Sequence, residues 1–185
     1  MSRIDPLPPK QWPEEMREAL AGLRPANARL PLPRREGRAK GLNVLGTMAR
    51  HPELARAFFG FNGHVLYATT LSERQRELVV LRVAALRDSE YEWAQHAALA
   101  HDAGIDAGEV ARVSEGPDAP GWAPLEQAML RAVDELVLEG TVTDDTWKAL
   151  GAELSTEQLM DLVFTVGTYV LLAMAFNAFG LELDE

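Results

Sequence analysis

Residues 71–101 read LSERQRELVVLRVAALRDSEYEWAQHAALAH, and this stretch decides the fold. It contains two helix starts. Ser72-Glu73-Arg74-Gln75 and Ser89-Glu90-Tyr91-Glu92 each set a serine three residues ahead of Gln or Glu. That is the spacing of a capping box, in which each side chain satisfies the other residue's backbone amide. The spacing predicts helices over 72–86 and 89–103, the second stopping at Gly104.

Reading outward, the pattern stays helical. Leu54, Phe58, Phe61 and Val65 line one face of a helix over 52–68, and 41–50 forms a shorter apolar one. A short helix over 106–113 opens with Asp106 and Glu109. A Gly- and Pro-rich loop over 114–124 leads to helices over 124–139 and 143–150. The last helix, 155–179, opens on a further capping box, Ser155-Thr156-Glu157-Gln158. No alternating strand segment stands out, so the class is all-α. Leu71-Ser72-x-x-Gln75-x-x-x-Val79-Val80 is echoed by Leu154-Ser155-x-x-Gln158-x-x-x-Leu162-Val163, a faint sign of two related halves that capping chemistry alone also produces.

The 185 residues suit one domain, or one built from two similar halves. They carry no cysteine, 18 Lys+Arg and 28 Asp+Glu, a net charge of −10. Zero cysteine excludes disulfides, zinc–thiolate sites, iron–sulfur ligation and thiol catalysis. The acidic balance argues against nucleic acid as a partner. The charge is uneven: residues 1–40 are net +4 and the remainder net −14, and seven of eleven prolines precede residue 34. This divides the chain into a Pro-rich basic arm, 1–40, with one short helix near 13–23, and a helical domain, 41–185. Such an arm either docks on an acidic body, for example a neighbouring subunit, or stays solvated. No targeting segment is visible, and a cytoplasmic location is the expectation. Residues 162–179 are long enough to span a bilayer, but they include Thr165, Gly167, Thr168, Tyr169 and Asn177 and lack flanking Lys or Arg. A helix buried in a core or subunit interface is therefore expected, and no membrane.

The chemistry-bearing residues lie in the opening stretch. Glu77 interrupts an apolar helix and borders its buried face, with Leu81 and Ala84 one and two turns on; it is either a solvated or Arg-paired carboxylate at the rim or one held for a purpose. Arg74 and Arg76 are near in sequence, although an adjacent residue is expected to point elsewhere. Glu92 and His96, four apart, share a face and can exchange a proton or hold a ligand jointly. Glu92 alternatively serves as the reciprocal cap of Ser89, and His96 as a core histidine bonded to backbone. Tyr91 and Trp93 flank Glu92; such aromatics are usually packing, but Tyr91 can donate to an oxyanion. The helix start at Ser89 favours an anionic ligand group. His64, on the preceding helix, can approach in space. A metal needs further ligands that are not evident locally, so no metal site is expected. Gly-rich phosphate loops, Gly-x-Ser-x-Gly and His-Glu-x-x-His are all absent.

From about Asn43 to Leu183 the sequence resembles the carboxymuconolactone decarboxylase family, which includes the alkylhydroperoxidase AhpD-like proteins. The resemblance is carried by His51-Pro52-Glu53-Leu54, Leu71-Ser72, Arg76-Glu77-Leu78, the segment Ser89 to His96, Trp122, Trp147 and Asn177. It implies an all-helical bundle with a central helical hairpin, often repeated, and assembly into homotrimers or homohexamers. In the peroxidase branch a Cys-x-x-Cys-x-x-x-His motif follows a glutamate. Here the cysteine positions fall on Ser89 and Glu92, the histidine on His96 and the glutamate on Glu77. The proton-handling residues are kept and both redox residues are replaced. A serine hydroxyl cannot enter the sulfenate or disulfide states that peroxide reduction uses.

The decarboxylase branch is the better match, through Tyr-Glu-Trp and the downstream His. It implies a cofactor-independent lyase or proton-transfer enzyme acting on a small lactone or enolisable acid. His96 is then the general acid/base, Glu77 orients or charges it, Tyr91 helps the oxyanion, and Glu92 shares the proton or caps its helix. Ser89, Trp93, His64 and Asn177 are candidate substrate contacts. Cations for an anionic substrate are scarce: Arg74, Arg76, Arg82, or arm residues Arg34, Arg35 and Arg38 of a neighbour would have to serve. A non-catalytic small-molecule-binding oligomer is the alternative, and a thiol-free peroxidase the least favoured reading.

Overall fold

The computed structural model describes residues 2–31 and 41–184, and these divide into two compact units. The first comprises residues up to Thr69 together with Ala175 onward; the second is Thr70–Met174. Every regular element among the described residues is helical.

In the first unit, α1 (Glu14–Ala19) runs into a 3-10 turn at Leu20–Leu23, and α2 (Leu42–Met48) precedes α3 (Pro52–Gly63). Pro52 begins α3 because its missing N–H is one the first turn leaves unbonded anyway. The His51 ring accepts from the Leu54 amide at 3.3 Å and caps the start. The chain then widens into a π-helical turn at His64–Ala68, where the sequence pattern predicts continuous α-helix. Met16 and Ala19 are buried with Ala49, Ala55 and Phe59, so this part of the segment read as a basic arm is packed structure rather than a free extension. Glycine permits that packing: a Cβ on Gly63 would strike the Gly22 carbonyl, and one on Gly22 the backbone at Gly60. The C-terminal residues close the unit, the Asn43 amide donating to Asp184 at 2.7 Å and the Arg3 amide to the Phe179 carbonyl at 2.8 Å. Arg34, Arg35 and Arg38 lie outside the described residues.

The second unit is built around α4 (Glu73–Leu86), which packs against α5 (Glu90–Asp102), α6 (Ala107–Glu115) and α7 (Pro124–Leu138). Leu78, Leu81, Ala100, Ile105, Val113 and Leu130 form its core, with Trp93, Ala97, Val110 and Trp122 against them. α4 is buried around its whole circumference from Arg76 to Ala84, which explains why it is apolar on every face apart from Arg76, Glu77 and Arg82. The capping boxes at Ser72–Gln75 and Asp106–Glu109 both form. Asp88 takes a left-handed conformation (φ 47°) and turns the chain tightly from α4 into α5, giving the central helical hairpin. Arg82 ties three elements: it donates to Asp134 on α7 at 2.6 and 2.9 Å and to the carbonyls of Val113 and Ser114. Gly116 (φ +105°) follows directly, where a Cβ would press on that guanidinium. α8 (Asp144–Gly151) is capped by Thr143, whose hydroxyl also donates to Glu135 on α7.

α9 (Thr156–Phe179) begins in the second unit, and its final residues belong to the first. Its capping box, Ser155–Gln158, is formed. By length and composition it is apolar enough to cross a membrane, with mean hydropathy 1.9 over its most apolar window, 44% of which is buried. Leu159, Leu162, Val166, Tyr169 and Ala173 form the buried stripe; Met160, Phe164, Leu171 and Met174 form an exposed one.

Candidate functional site

Two neighbouring helices of the second unit assemble a buried ionic cluster. Glu77, midway along α4, is 0% exposed. Its Oε2 lies 2.7 Å from Nδ1 of His96 on α5. Its Oε1 accepts from Nε and an Nη of Arg76 at 2.9 and 2.7 Å. The adjacent arginine therefore does not point elsewhere, as helical spacing predicts. Its long stem bends back because a carboxylate in this interior needs a cation beside it.

Burial pushes the Glu77 carboxyl up, but the His96 imidazole and the Arg76 guanidinium outweigh it and hold the group below the usual carboxylate range. Burial opposes the charge on Arg76, and Glu77 and Tyr169 reverse this, so its pKa is raised. Ionised Glu77 can only accept, so Nδ1 of His96 is the donor. That leaves Nε2 as the ring's basic atom. All hydrogen bonding of His96 among the described residues runs through Nδ1, and the residue keeps 7% exposure, so Nε2 is the side of the ring an incoming molecule can meet. Tyr169 of α9 meets the ring edge-on, centroids 4.9 Å apart at 89°, which fixes the plane of the imidazole. The cluster is thus carboxylate, imidazole and open nitrogen, with an arginine sharing the carboxylate.

Glu92 does not form the capping box with Ser89. The Ser89 side chain makes no cap hydrogen bond, and its ψ of 87° is well short of the extended value at the caps that do form. Glu92 turns inward instead. It is 1% exposed, and neither carboxyl oxygen has a hydrogen-bond partner among the described residues, nor does the Ser89 hydroxyl. Burial therefore pushes the Glu92 pKa up to about 8; Ser89, near but outside hydrogen-bonding geometry, opposes this only in part. At neutral pH Glu92 is chiefly a neutral carboxylic acid.

Tyr91 is buried in the first turn of α5, and Trp93 packs on the core cluster around Leu78 and Leu81. His64 and Asn177 belong to the first unit. Of the candidate cations, Arg74 donates to Glu109 and Glu126 at 2.7 and 2.6 Å, contacts that raise its pKa. Arg82 is occupied by Asp134, and Arg76 by Glu77. All three are engaged with protein carboxylates. Tyr169 is the member sequence reasoning missed; Arg76, a candidate substrate cation by sequence, is instead the partner of Glu77. A tyrosine in an apolar helix, whose hydroxyl must find a partner, was the available signal for it. No group of three or more His, Asp or Glu among the described residues is placed to hold a metal. A depression of about 600 Å³ in the first unit, between Leu7, Gln11, Arg50 and Glu53, contains none of these residues.

Residues 52–135 match the model of the carboxymuconolactone decarboxylase family. No curated protein matches the sequence. Among solved structures, the fold matches a peroxidase-related protein from Ralstonia eutropha JMP134 with an alkylhydroperoxidase AhpD core, at TM-score 0.78 and 19% identity over 100% of this chain and 93% of that one. It also matches the debrominase Bmp8 in complex with 2,3,4-tribromopyrrole, at TM-score 0.75 and 16% identity over 100% and 92%. A peroxidase-related protein from Silicibacter sp. TM1040 matches at TM-score 0.70 and 15% identity over 86% and 93%.

Proposed function

From a chain whose residues 52–135 belong to the carboxymuconolactone decarboxylase family, on an AhpD-like helical fold, we propose a cofactor-independent lyase or proton-transfer enzyme. Its substrate is a small lactone or enolisable acid, and His96 is the general acid/base. The observation that carries this reading is the 2.7 Å contact between buried Glu77 and His96 Nδ1. In that pairing the carboxylate stabilises the imidazolium that forms when Nε2 takes a proton, the division of labour of any acid–base dyad.

Two reactions use this apparatus. In isomerisation, Nε2 removes a proton from carbon next to a carbonyl. The C–H electron pair moves into the enolate, and the imidazolium returns the proton to another carbon. In decarboxylation, the bond to the departing carboxylate breaks and carbon dioxide leaves. The electron pair enters the conjugated carbonyl, and protonated His96 delivers its proton to carbon. Neither sequence requires a cofactor. With Arg74, Arg76 and Arg82 held by protein carboxylates, a substrate with a single charge or none fits better than a polycarboxylate.

A non-catalytic binder on this scaffold would be favoured by an exposed Glu77 and a His96 bonded to backbone. Glu77 is instead enclosed and His96 is bonded to it, which favours catalysis. That a debrominase shares the fold also favours an enzyme. Thiol-based peroxide reduction does not transfer from peroxidase-related neighbours to a chain without cysteine. We further propose self-assembly, a homotrimer or homohexamer, supported by the exposed apolar stripe of α9. The test of the catalytic reading is a panel of unsaturated lactones and enolisable acids followed by proton NMR in deuterated water. His96→Ala and Glu77→Gln are each expected to slow exchange or turnover on the order of 100-fold. Undiminished rates in both folded variants contradict it.

A further inference from the structure

We infer that Ser89 and Glu92, at the start of α5, form an oxyanion seat that donates hydrogen bonds to the carbonyl oxygen of an enolisable substrate as it becomes an enolate. This rests on the reading of Glu77 and His96 as the acid–base pair and names the chemical class that pair works on.

Three independent observations converge. First, Ser89, Glu92 and His96 follow one another at spacings of three and four, so they form one stripe along α5. Tyr91, the other candidate for this role, lies about 100° around the helix from Glu92. Second, the Ser89 hydroxyl and both Glu92 oxygens are unpartnered among the described residues, although each residue is only 1% exposed. Buried polar atoms almost always have a partner, and three orphan atoms within four residues mark a place where a ligand supplies it. Third, Ser89 makes no side-chain cap at the start of α5, where the positive end of the helix dipole lies.

The polarity of the seat selects an anion that develops during reaction. A buried carboxyl with no neighbouring cation stays protonated at neutral pH, and a protonated carboxyl donates where a carboxylate would repel. A neutral acid held this way is a known means of stabilising an enolate. No covalent bond forms at the seat: Nε2 of His96 takes the carbon-bound proton, the electron pair settles on oxygen, and the seat stabilises that oxygen until the proton returns. Away from water such hydrogen bonds are at their strongest.

A phenolate mimics an enolate, so the probe is 4-nitrophenol, with 4-nitroanisole as the analogue that cannot ionise. The wild-type protein is expected to bind the nitrophenolate, visible as a shift of its absorption band, at least about tenfold more tightly than the anisole. Glu92→Leu and Ser89→Ala are each expected to weaken it about tenfold or more. Equal affinity for the two probes, or nitrophenolate binding unaltered in Glu92→Leu, overturns the seat. Should Glu92→Leu fail to fold, infrared spectroscopy of the wild type decides. A protonated-carboxyl band at neutral pH, absent from Glu92→Gln, must shift when nitrophenolate binds; a missing or unmoved band overturns the proposal. The two readings fail separately. Loss of exchange in His96→Ala with Glu92-independent nitrophenolate binding removes the seat and keeps the acid–base pair. Glu92-dependent binding with undiminished exchange in His96→Ala does the reverse.

Discussion

Glu77 and Glu92 show how one side chain acquires opposite properties from its surroundings. Both are buried, but Glu77 has Arg76 and His96 beside it and is held ionised, whereas Glu92 has no cation and is held neutral. Each has a measurable consequence. Glu77→Gln keeps the shape but leaves Arg76 enclosed without its counter-charge, so it should destabilise the fold by about 3–5 kcal/mol in denaturant titration. For Glu92 the consequence is a pH dependence. Unfolded, the group titrates near 4.5; folded, at about 8. Between those values the folded chain retains a proton that the unfolded chain has released. Stability should therefore fall as pH rises through that window, and Glu92→Gln should flatten the decline in thermal unfolding. At this scale the sequence pointed to Glu77 and His96, which the structure brings into contact, and left their geometry open. The Glu77, Glu92 and His96 positions were legible because charge and imidazole interrupt apolar helix faces. The Arg76 contact was not, because helical spacing fixes where a Cα–Cβ bond points and says little of where a long flexible stem ends.

Among the elements, capping chemistry was the most legible signal and also the one that misled. The pattern Ser or Asp followed three residues later by Gln or Glu forms a true capping box at Ser72, Asp106 and Ser155. The identical pattern at Ser89 does not, because tertiary burial draws Glu92 inward and away from its own backbone. Ser72→Ala should thus cost about 1 kcal/mol in unfolding free energy. Ser89→Ala should cost far less, since it deletes a hydroxyl with no partner among the described residues. Equal losses in the two variants would mean that Ser89 caps its helix after all. The π-helical turn at His64–Ala68 and the glycine contacts at Gly22 and Gly63 were illegible for a related reason. They depend on segments far apart in sequence, and periodicity reports only local order.

For the whole molecule, the all-helical class and the central hairpin follow from the periodicity and resemblance of the opening stretch. The partition into a first unit that recruits the C-terminus and a second around α4 does not, because it depends on which helices meet. The exposed stripe of Met160, Phe164, Leu171 and Met174 bears on assembly. Phe164→Glu should lower the mass observed by light scattering toward that of a single chain, if the stripe joins copies; an unchanged mass would place the contact elsewhere. The most direct test of function concerns His96 Nε2 as the proton carrier. Deuterium uptake from solvent into the substrate's reactive carbon should be rapid with the wild-type protein and slower on the order of 100-fold with folded His96→Ala. Equal uptake by both proteins would contradict it.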